Sequence, residues 1–284
     1  PSMTISVSPV SPLTFSADIS AAIVAVVESG SPFYPLPAPS LGATSPITMA
    51  GALAQQHAEV LASLVIAAAA RPGALVGYSS RINPIDLRTA VSSWGGPEVG
   101  MTGACAAQLA HRLGLPCDSY GLSTSSTQVD AQFAYERMAN ALAPALAGVD
   151  ILSGVGLTDS GLAGALEIAV IDDEIISLLK HVSQGCMVND DTLAFEVMRD
   201  VILGDGVFLG EEHTVRHLRE GALWMPGISV RSPVDKSDHE GVMDRAKSRA
   251  RQILKTHRVK PLPDDRSQQL DDIMDRARRE LVRT

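Results

Sequence analysis

The feature that most restricts the fold of this chain is a unit repeated along it: a helix, a glycine stop, a short apolar run and a polar loop. The apolar runs ALVGYSS (74–80), LPCDSYG (115–121) and VDILSGVGL (149–157) each follow a helical segment that ends in Gly or Pro-Gly. These runs begin about 41 and then about 34 residues apart, a normal length for one βα unit. The repetition predicts buried parallel strands that alternate with helices.

Two earlier segments extend this series. TISVSPV (4–10) and SPFYPLP (31–37) are suited to strands on either side of a helix at 17–29, which makes about five βα units. Regular βα repetition without a GxGxxG or P-loop motif favours an α/β fold of the TIM-type (β/α)8 barrel over a Rossmann sheet. Because five strands do not close an eight-stranded barrel, we expect the barrel to be incomplete. Either strands are hidden in the sequence, or the chain is part of a longer protein, which its start in a strand-like segment favours.

The second half of the chain has a different character. From about residue 172 it is helical, with Asp172 as a natural N-cap, and 228–241 has the composition of a polar linker. We therefore divide the chain into a barrel portion, 1–230, and a C-terminal helical tail, 231–284. The tail holds 14 Lys/Arg and 10 Asp/Glu, against 9 and 22 in the barrel portion. The acidic barrel portion argues against nucleic acid or an anionic membrane as a partner, and suits a cationic small molecule or a basic protein surface. An ordinary solubilising surface is the alternative.

The cysteines and the longest apolar stretch bear on the cellular compartment. Cys105, Cys117 and Cys186 show no CxxC or metal-ligand spacing, which predicts a reduced, cytoplasmic protein. The stretch 46–70 carries Gln, His and Glu near its middle. A bilayer would penalise these residues, so we expect a buried helix and no membrane span.

Aromatic residues are scarce, and their positions are informative. They make up only 4% of the chain, yet three of its four tyrosines, Tyr34, Tyr78 and Tyr120, lie at or near the ends of predicted strands. Trp94, just before a helix, is a fourth candidate of the same kind. Rings that converge at a barrel mouth can bind a quaternary ammonium through cation–π contacts. Placement in loops without any binding role is the alternative.

Polar residues near the predicted strand ends add two candidates. Arg81 follows the run 74–80 and is placed either to clamp a carboxylate bidentately or to hold a loop or a subunit contact. Asp159 follows the run 149–157 and has either a direct role or the role of a helix cap. Between Asp118 and Asp130 the loop contains no acid, base, thiol or metal ligand.

The segment EEHTVRH (211–217) is the one cluster that looks like a catalytic metal motif. Its two histidines, His213 and His217, are four residues apart and share a helix face. The segment is not H-E-x-x-H, however, and no third ligand is evident, so we predict no metal site. Glu212 and His213 are instead candidates for a supporting role one layer behind the substrate.

Six segments taken together resemble the trimethylamine methyltransferase family, which also contains the glycine betaine:corrinoid methyltransferases. They are SPLTFSADI, PFYPLPAPSLGATSPITMAGALAQQHAEVLASLV, SSRINPIDLRTAVSSWGGPEVGM, YGLSTSSTQVDAQFAYER, DILSGVG and FLGEEHTVRHLR. The resemblance runs from about residue 4 to 256, and the ordered series carries it rather than any single motif.

The resemblance implies a TIM barrel that moves a methyl group from a methylated amine to the cobalt of a separate corrinoid protein. It also implies a chain nearly twice as long, of which this one is the C-terminal portion. Some members carry pyrrolysine in the active site, and this sequence has none, which favours a quaternary amine such as a betaine over trimethylamine. Cobalt(I) is then the nucleophile and a neutral amine departs, so neither a general acid nor a general base is required. Tyr120 and the hydroxyls of Ser123 and Ser125 would line the pocket.

The interpretation that follows is a cytoplasmic methyltransferase domain at 1–230, in a family related to methanogenesis. Its corrinoid cofactor (a cobalamin) would be carried by the partner protein and not bound covalently here, and a homo-oligomer is expected. Two alternatives stay open. One is a non-catalytic barrel fragment or assembly module, and the other is an unrelated TIM-barrel lyase or hydrolase.

Overall fold

Five short parallel strands alternate with helices along the first half of the chain. The computed structural model describes residues 3–204, 206–231 and 240–281. Its strands are β1 (Ile5–Val7), β2 (Phe33–Pro35), β3 (Ser40–Leu41), β4 (Tyr78–Ser80), β5 (Asn83–Asp86), β6 (Val91–Ser92), β7 (Cys117–Tyr120), β8 (Ile151–Ser153), β9 (Leu157–Thr158) and β10 (Ala163–Gly164). Its helices are α1 (Ala17–Glu28), α2 (Met49–Ala70), α3 (Pro97–Arg112), α4 (Ala131–Leu146), α5 (Leu166–Ser183), α6 (Asp190–Leu193), α7 (Phe195–Leu203), α8 (Glu212–Arg219), α9 (Val242–Thr256) and α10 (Asp264–Leu281).

The five strands expected from the sequence follow one another in chain order. β1 lies parallel to β2 with Ser6 opposite Tyr34, and a bridge between Phe33 and Val76 joins β2 to the segment that enters β4. β4, β7 and β8 form a parallel sheet in that order. Within the described ranges no strand pairs β8 with β1, so the chain is a mixed α/β fold of helices and small sheets without a closed barrel. The α/β class is confirmed, and a TIM barrel is not.

Local signals in the sequence set the ends of the helices. Ser16 caps α1, because its side chain accepts a hydrogen bond from the backbone N–H of Ile19 at 3.3 Å. Asp130 caps α4 in the same way, accepting from the N–H of Phe133 at 2.9 Å. Gly114 follows α3 with a φ of 68°, a left-handed conformation that glycine adopts without steric penalty.

Alternate residues of each strand face the helices. Phe33 packs against Ile23 and Ala67, in α1 and α2, and Tyr78 and Cys117 pack between the strands and helices α2 and α3. Because side chains alternate along a strand, the residues next to these in sequence face away from the helices. That opposite face is called the inner side below.

Helix α2 is, among the described residues, the one helix long and apolar enough to cross a membrane by length and composition. Its Gln56 and Glu59 side chains are fully buried. Gln56 accepts a hydrogen bond from the Ser80 hydroxyl at 3.0 Å, and Glu59 accepts one each from the Ser11 hydroxyl and the Leu13 N–H at 2.9 Å. These polar contacts with the rest of the chain fit the prediction of a helix packed within the protein.

The C-terminal helices divide into packed and exposed ones. α9 packs on α5 through a cluster that contains Ile168, Ile171 and Ala246, so the first helix of the tail is attached to the barrel portion. Residues 232–239, the middle of the predicted linker, lie outside the described residues. The predicted N-cap role of Asp172 is wrong, because α5 begins at Leu166 and Asp172 lies within it.

Candidate functional site

Three loops meet at the carboxyl ends of β4, β7 and β8. The Ser123 hydroxyl, after β7, donates to the Trp94 carbonyl at 2.7 Å, and the N–H of Gly95 donates to the Ser125 hydroxyl oxygen at 3.0 Å. Two neighbouring N–H groups after β8, those of residues 159 and 160, donate to the carbonyls of residues 126 and 124. The carboxyl ends of parallel strands are the usual place for a ligand in α/β proteins, and these contacts fix the shape of that edge.

Arg81 lies at the centre of this edge and is engaged by the protein itself. Its Nη2 donates to the carboxylate of Asp118 at 2.8 Å and to the Ser153 hydroxyl at 2.9 Å. Its Nη1 donates to the carbonyls of Ser80 at 2.8 Å and Asp118 at 3.4 Å. The Arg81 guanidinium was predicted either to clamp a substrate carboxylate or to hold a loop, and in the structure it pairs with the carboxylate of Asp118. Asp118 also offsets the positive charge of the guanidinium.

Two of the four predicted aromatic residues meet beside this ion pair. The rings of Trp94 and Tyr120 are 4.9 Å apart between centroids and are edge-to-face, at 74°. The guanidinium carbon of Arg81 lies 5.6 Å from the centre of the Tyr120 ring. Burial is the main cause that raises the pKa of Tyr120, while nearby Arg137 and Arg81 lower it. The phenol is therefore neutral at physiological pH.

The other two tyrosines lie elsewhere. Tyr34 faces the inner side, and its ring covers Gly77 so closely that a Cβ there would lie 2.2 Å from it. Burial, and next the charges of Asp150 and Asp118, raise the pKa of Tyr34. Tyr78 faces the helices instead, where its hydroxyl is 3.2 Å from Nδ1 of His57, and burial raises its pKa to about 12. The structure thus does not bring Tyr78 to the rings of Trp94 and Tyr120.

The loop after β8 holds Asp159 in an unusual conformation. Asp159 and Ser160 have φ angles of 50° and 55°, two consecutive left-handed residues that are not glycine. Their backbone N–H groups are held by the carbonyls of Ser126 and Thr124, each at 2.9 Å. Backbone strain of this kind clusters at binding sites. Asp159 lies in a 3-10 turn against the β7 loop and does not cap an α-helix.

Two polar residues of α4 support the site and were not expected from the sequence. The Glu136 carboxylate accepts from the Thr124 hydroxyl at 2.6 Å and from the Ser125 N–H at 2.8 Å. Asn140 donates to the Trp94 carbonyl at 3.2 Å and accepts from the N–H of Gly100 at 3.1 Å. Helix α4 therefore fixes both the β7 loop and the loop that carries Trp94.

A buried ion pair lies beneath the same edge. Arg137 and Asp172 have fully buried side chains and form a salt bridge. Arg137 also donates to the Leu157 carbonyl at 2.5 Å, and Asp172 accepts from the N–H of Gly156 at 2.6 Å. The pair thus ties α4 and α5 to the loop after β8.

The two residues proposed for a supporting role lie in α8. Glu212 is exposed in its first turn. His213 Nε2 is 2.9 Å from the Asp191 carbonyl, and Asp191 with His213 and His217 forms a group whose ligand atoms lie within 4.8 Å. Asp191 is, however, bound through both carboxylate oxygens by Arg216, whose hydrogen bond is the largest cause of its lowered pKa. No described contact joins this group to Arg81 or Tyr120.

Three residues of this edge, Asp118, Glu136 and Asn140, were not predicted as site residues, and the sequence indicates them only in part. Asp118 was visible as the acid that bounds the loop, but its pairing with Arg81 depends on the parallel register of β4 and β7, in which Ser79 lies opposite Asp118. Asn140 and Glu136 are polar positions within a helix, where solvent exposure is the usual explanation. The burial of Asn140 and the hydrogen-bond partners of both residues follow only from the packing of α4 on α3 and on the β7 loop.

The arrangement can bind and orient a cation, but offers little for proton transfer. The carboxylates of Asp118 and Glu136 at this edge each accept hydrogen bonds from the protein. The described loops contain no thiol and no ordinary metal-ligand set beside Arg81.

Comparisons with known proteins agree with the ordered series of segments. A family model described as trimethylamine methyltransferase matches residues 1–282. A trimethylamine methyltransferase of Methanosarcina mazei is 32% identical over 280 residues, which cover 95% of this chain and 54% of the relative. A glycine betaine methyltransferase of Desulfitobacterium hafniense is 35% identical over 247 residues, or 86% of this chain and 51% of the relative.

The chain spans about half the length of the curated relatives that it matches. The match nevertheless covers nearly all of the chain, including the strands, the three loops and the C-terminal helices. The chain belongs to the trimethylamine methyltransferase family.

Proposed function

We propose that the full-length protein moves a methyl group from a quaternary, betaine-like amine to the cobalt of a corrinoid protein. We further propose that residues 1–230 are part of a TIM-type barrel and that 231–284 form its helical tail. Family membership supports the reaction class, and five parallel strands in chain order support the barrel. One observation carries the proposal: Trp94 and Tyr120 meet beside a neutralised Arg81 at the carboxyl edge of the strands.

The aromatic pair is the binding surface for the methylated ammonium. A quaternary ammonium has no N–H to donate, so it is recognised by ring faces and by nearby negative charge. Arg81 alone would repel such a cation. Asp118, at 2.8 Å, cancels that repulsion. The neutral Tyr120 ring and the Trp94 indole then supply the attraction, with Tyr34 further along the inner side.

A substrate carboxylate would bind Arg81 at a single point. The hydrogen bonds from Nη1 and Nη2 engage Asp118, Ser153 and Ser80, and within the described residues the Nε–H has no partner. One N–H can orient a carboxylate but cannot clamp it bidentately. This predicts a modest preference for glycine betaine over an amine that lacks a carboxylate.

The residues fit the chemistry that a docked corrinoid protein would bring. Its cobalt(I), when bound, supplies the nucleophile, and the electrons of the broken carbon–nitrogen bond leave with the neutral amine. The chain then needs to donate or accept no proton. Tyr120 and Tyr34 keep their protons, because the pKa of each is raised, and Ser123 and Ser125 hold the loops in place. Binding and orientation are what the protein contributes.

The test is methyl transfer from glycine betaine to free cob(I)alamin by a full-length form, followed by the change in cobalamin absorbance. We expect Tyr120→Leu to raise the KM for the amine roughly tenfold, since a partly desolvated cation–π contact contributes about 1–2 kcal/mol. Tyr120→Phe keeps the ring and should stay within about threefold of the parent.

Tyr135→Leu is the matched control, because Tyr135 is 63% exposed on α4 and no described contact joins it to Arg81, Trp94 or Tyr120. The same assay with trimethylamine gives the substrate preference. Absence of turnover with any methylated amine would sink the proposal, as would equal KM values for Tyr120→Leu and the parent.

A further inference from the structure

Helix α10 is an amphipathic helix without a described partner. None of its side chains is buried within the described residues, and the segment that joins it to α9, residues 257–263, is exposed throughout. Leu270, Met274 and Leu281 are 50%, 53% and 81% exposed. With Ile273, which is 49% exposed and lies at a g position beside these residues, α10 presents four large apolar side chains to solvent, which is a cost unless another surface covers them.

The apolar residues of α10 follow a coiled-coil repeat. Leu270, Met274, Ala277 and Leu281 are spaced by four, three and four residues, which is the alternation of d and a positions in a heptad. Asp271 and Arg278 then occupy the two e positions that border this stripe. Arg279 occupies an f position, on the far side of the helix from it.

The charges of α10 indicate the occupant and its direction. The first half of the helix, 264–272, carries four aspartates and one arginine, a net charge of −3, whereas the second half, 273–281, carries three arginines with Asp275 and Glu280, a net charge of +1. Two copies side by side in opposite directions place each acidic half against a basic half. Two copies in the same direction place the two acidic halves together, with Arg266 beside the other copy's Asp271 as the exception. The helix dipole also favours this order of charges, but it does not account for the apolar stripe.

We propose that α10 pairs with α10 of a second copy of this chain as a short antiparallel coiled coil about a two-fold axis. In that register Leu270 packs on the partner's Leu281, and Met274 packs on the partner's Ala277. Asp271 then borders the partner's Arg278, and the symmetry repeats each contact. The interface is thus complementary to itself in both shape and charge.

The contacts that α10 already makes leave this register open. Arg278 pairs with Asp275 of its own helix at 3.2 Å, and their side chains are 71% and 62% exposed. Such an exposed pair contributes little and exchanges readily. The helix is 18 residues long, about 27 Å, so the coiled coil holds only two to three heptads. Association should therefore depend on protein concentration.

The test is sedimentation velocity on the whole chain over a concentration series. Asp271→Arg places two arginines opposite each other, and Arg278→Asp places two aspartates opposite each other. Each variant alone should weaken self-association at least tenfold. Mixed together, the two should form a heterodimer as readily as the parent forms a homodimer, because both e-position pairs are again of opposite charge. The double variant Asp271→Arg/Arg278→Asp should self-associate like the parent.

Arg251→Asp is the matched control, since it makes the same charge change at an exposed position of α9, outside α10, and it should associate like the parent. Circular dichroism establishes that each variant is folded, and Met274→Arg tests the apolar stripe separately. A parent that stays monomeric at all concentrations overturns the proposal. The proposal is also overturned if neither single variant weakens self-association, or if mixing the two variants does not restore association. If the parent is monomeric but binds a different protein, and Arg278→Asp abolishes that binding, then the helix is a binding site for that protein instead.

Discussion

The buried pair of Arg137 and Asp172 is the residue-scale feature on which the site rests most directly. Both side chains have no exposed surface, so neither charge has water to stabilise it. The pair reaches the loop after β8 through the Leu157 carbonyl and the N–H of Gly156. A buried ion pair is often no more stabilising than an apolar pair of equal size, but removing one partner is strongly destabilising.

We expect Asp172→Asn to lower the free energy of unfolding by about 3 kcal/mol or more, because Arg137 remains charged and buried without its counter-charge. Urea denaturation followed by circular dichroism measures it. Asp173→Asn, at the next and exposed position of α5, should change stability by less than about 0.5 kcal/mol. Equal stability of the two variants would contradict the argument.

At the scale of single residues, the sequence indicates which residues lie near strand ends, but it does not indicate the direction in which their side chains face. Trp94 was selected for its place just before a helix and Tyr120 for its place at a strand end, and their rings meet. Tyr78 was selected on the same ground, but its ring faces α2 and α3. The run that contains Tyr78 is apolar on both faces, as buried parallel strands are. Its pattern therefore does not show which of its residues face the helices and which face the inner side.

At the scale of elements, α3 and α4 approach each other closely beside the site. The N–H of Gly100 donates to the side chain of Asn140. A Cβ at Gly100 would lie 2.9 Å from the Cα of Asn140 and 3.0 Å from the Ala139 carbonyl oxygen. Both are backbone atoms, which cannot rotate out of the way. Asn140 in turn holds the Trp94 carbonyl.

Gly100→Ala should therefore destabilise the protein by about 1–3 kcal/mol, although alanine is the better helix former by about 1 kcal/mol. Gly103→Ala, the same change one turn later, meets mainly the Ser119 hydroxyl, which can turn aside, and it should cost less. Thermal unfolding of both variants gives the order, and a Gly103→Ala variant less stable than Gly100→Ala would contradict it.

Elements were predictable where a local stop or cap defines them. The five strands and helices α1 to α4 lie within a few residues of their expected positions, because Gly114 and Asp130 act on their own neighbours. Asp172 was mistaken for a cap because its true partner, Arg137, is 35 residues away in sequence. Closure of a barrel is likewise a long-range property, and the described strands do not show it.

At the scale of the whole molecule, burial is concentrated in the strand-bearing part. α2, α3 and α4 each bury at least five side chains, whereas α6, α8 and α10 bury none within the described residues. α7 buries Val201 alone. Local opening is easiest where few side chains are buried, so the free energy of opening should differ greatly between these two groups of helices.

Hydrogen–deuterium exchange followed by mass spectrometry should resolve this difference. We expect amides of α3 and α4 to exchange at least a hundredfold more slowly than those of α6, α8 and α10, because opening the former requires exposing the packed core. The exchange of α10 should slow as protein concentration rises, since pairing with a second copy covers Leu270 and Met274, whereas that of α8 should not change. Exchange in α10 as slow as in α3 at low concentration would mean that α10 is already packed within one copy, and both the contrast and the pairing would then be wrong.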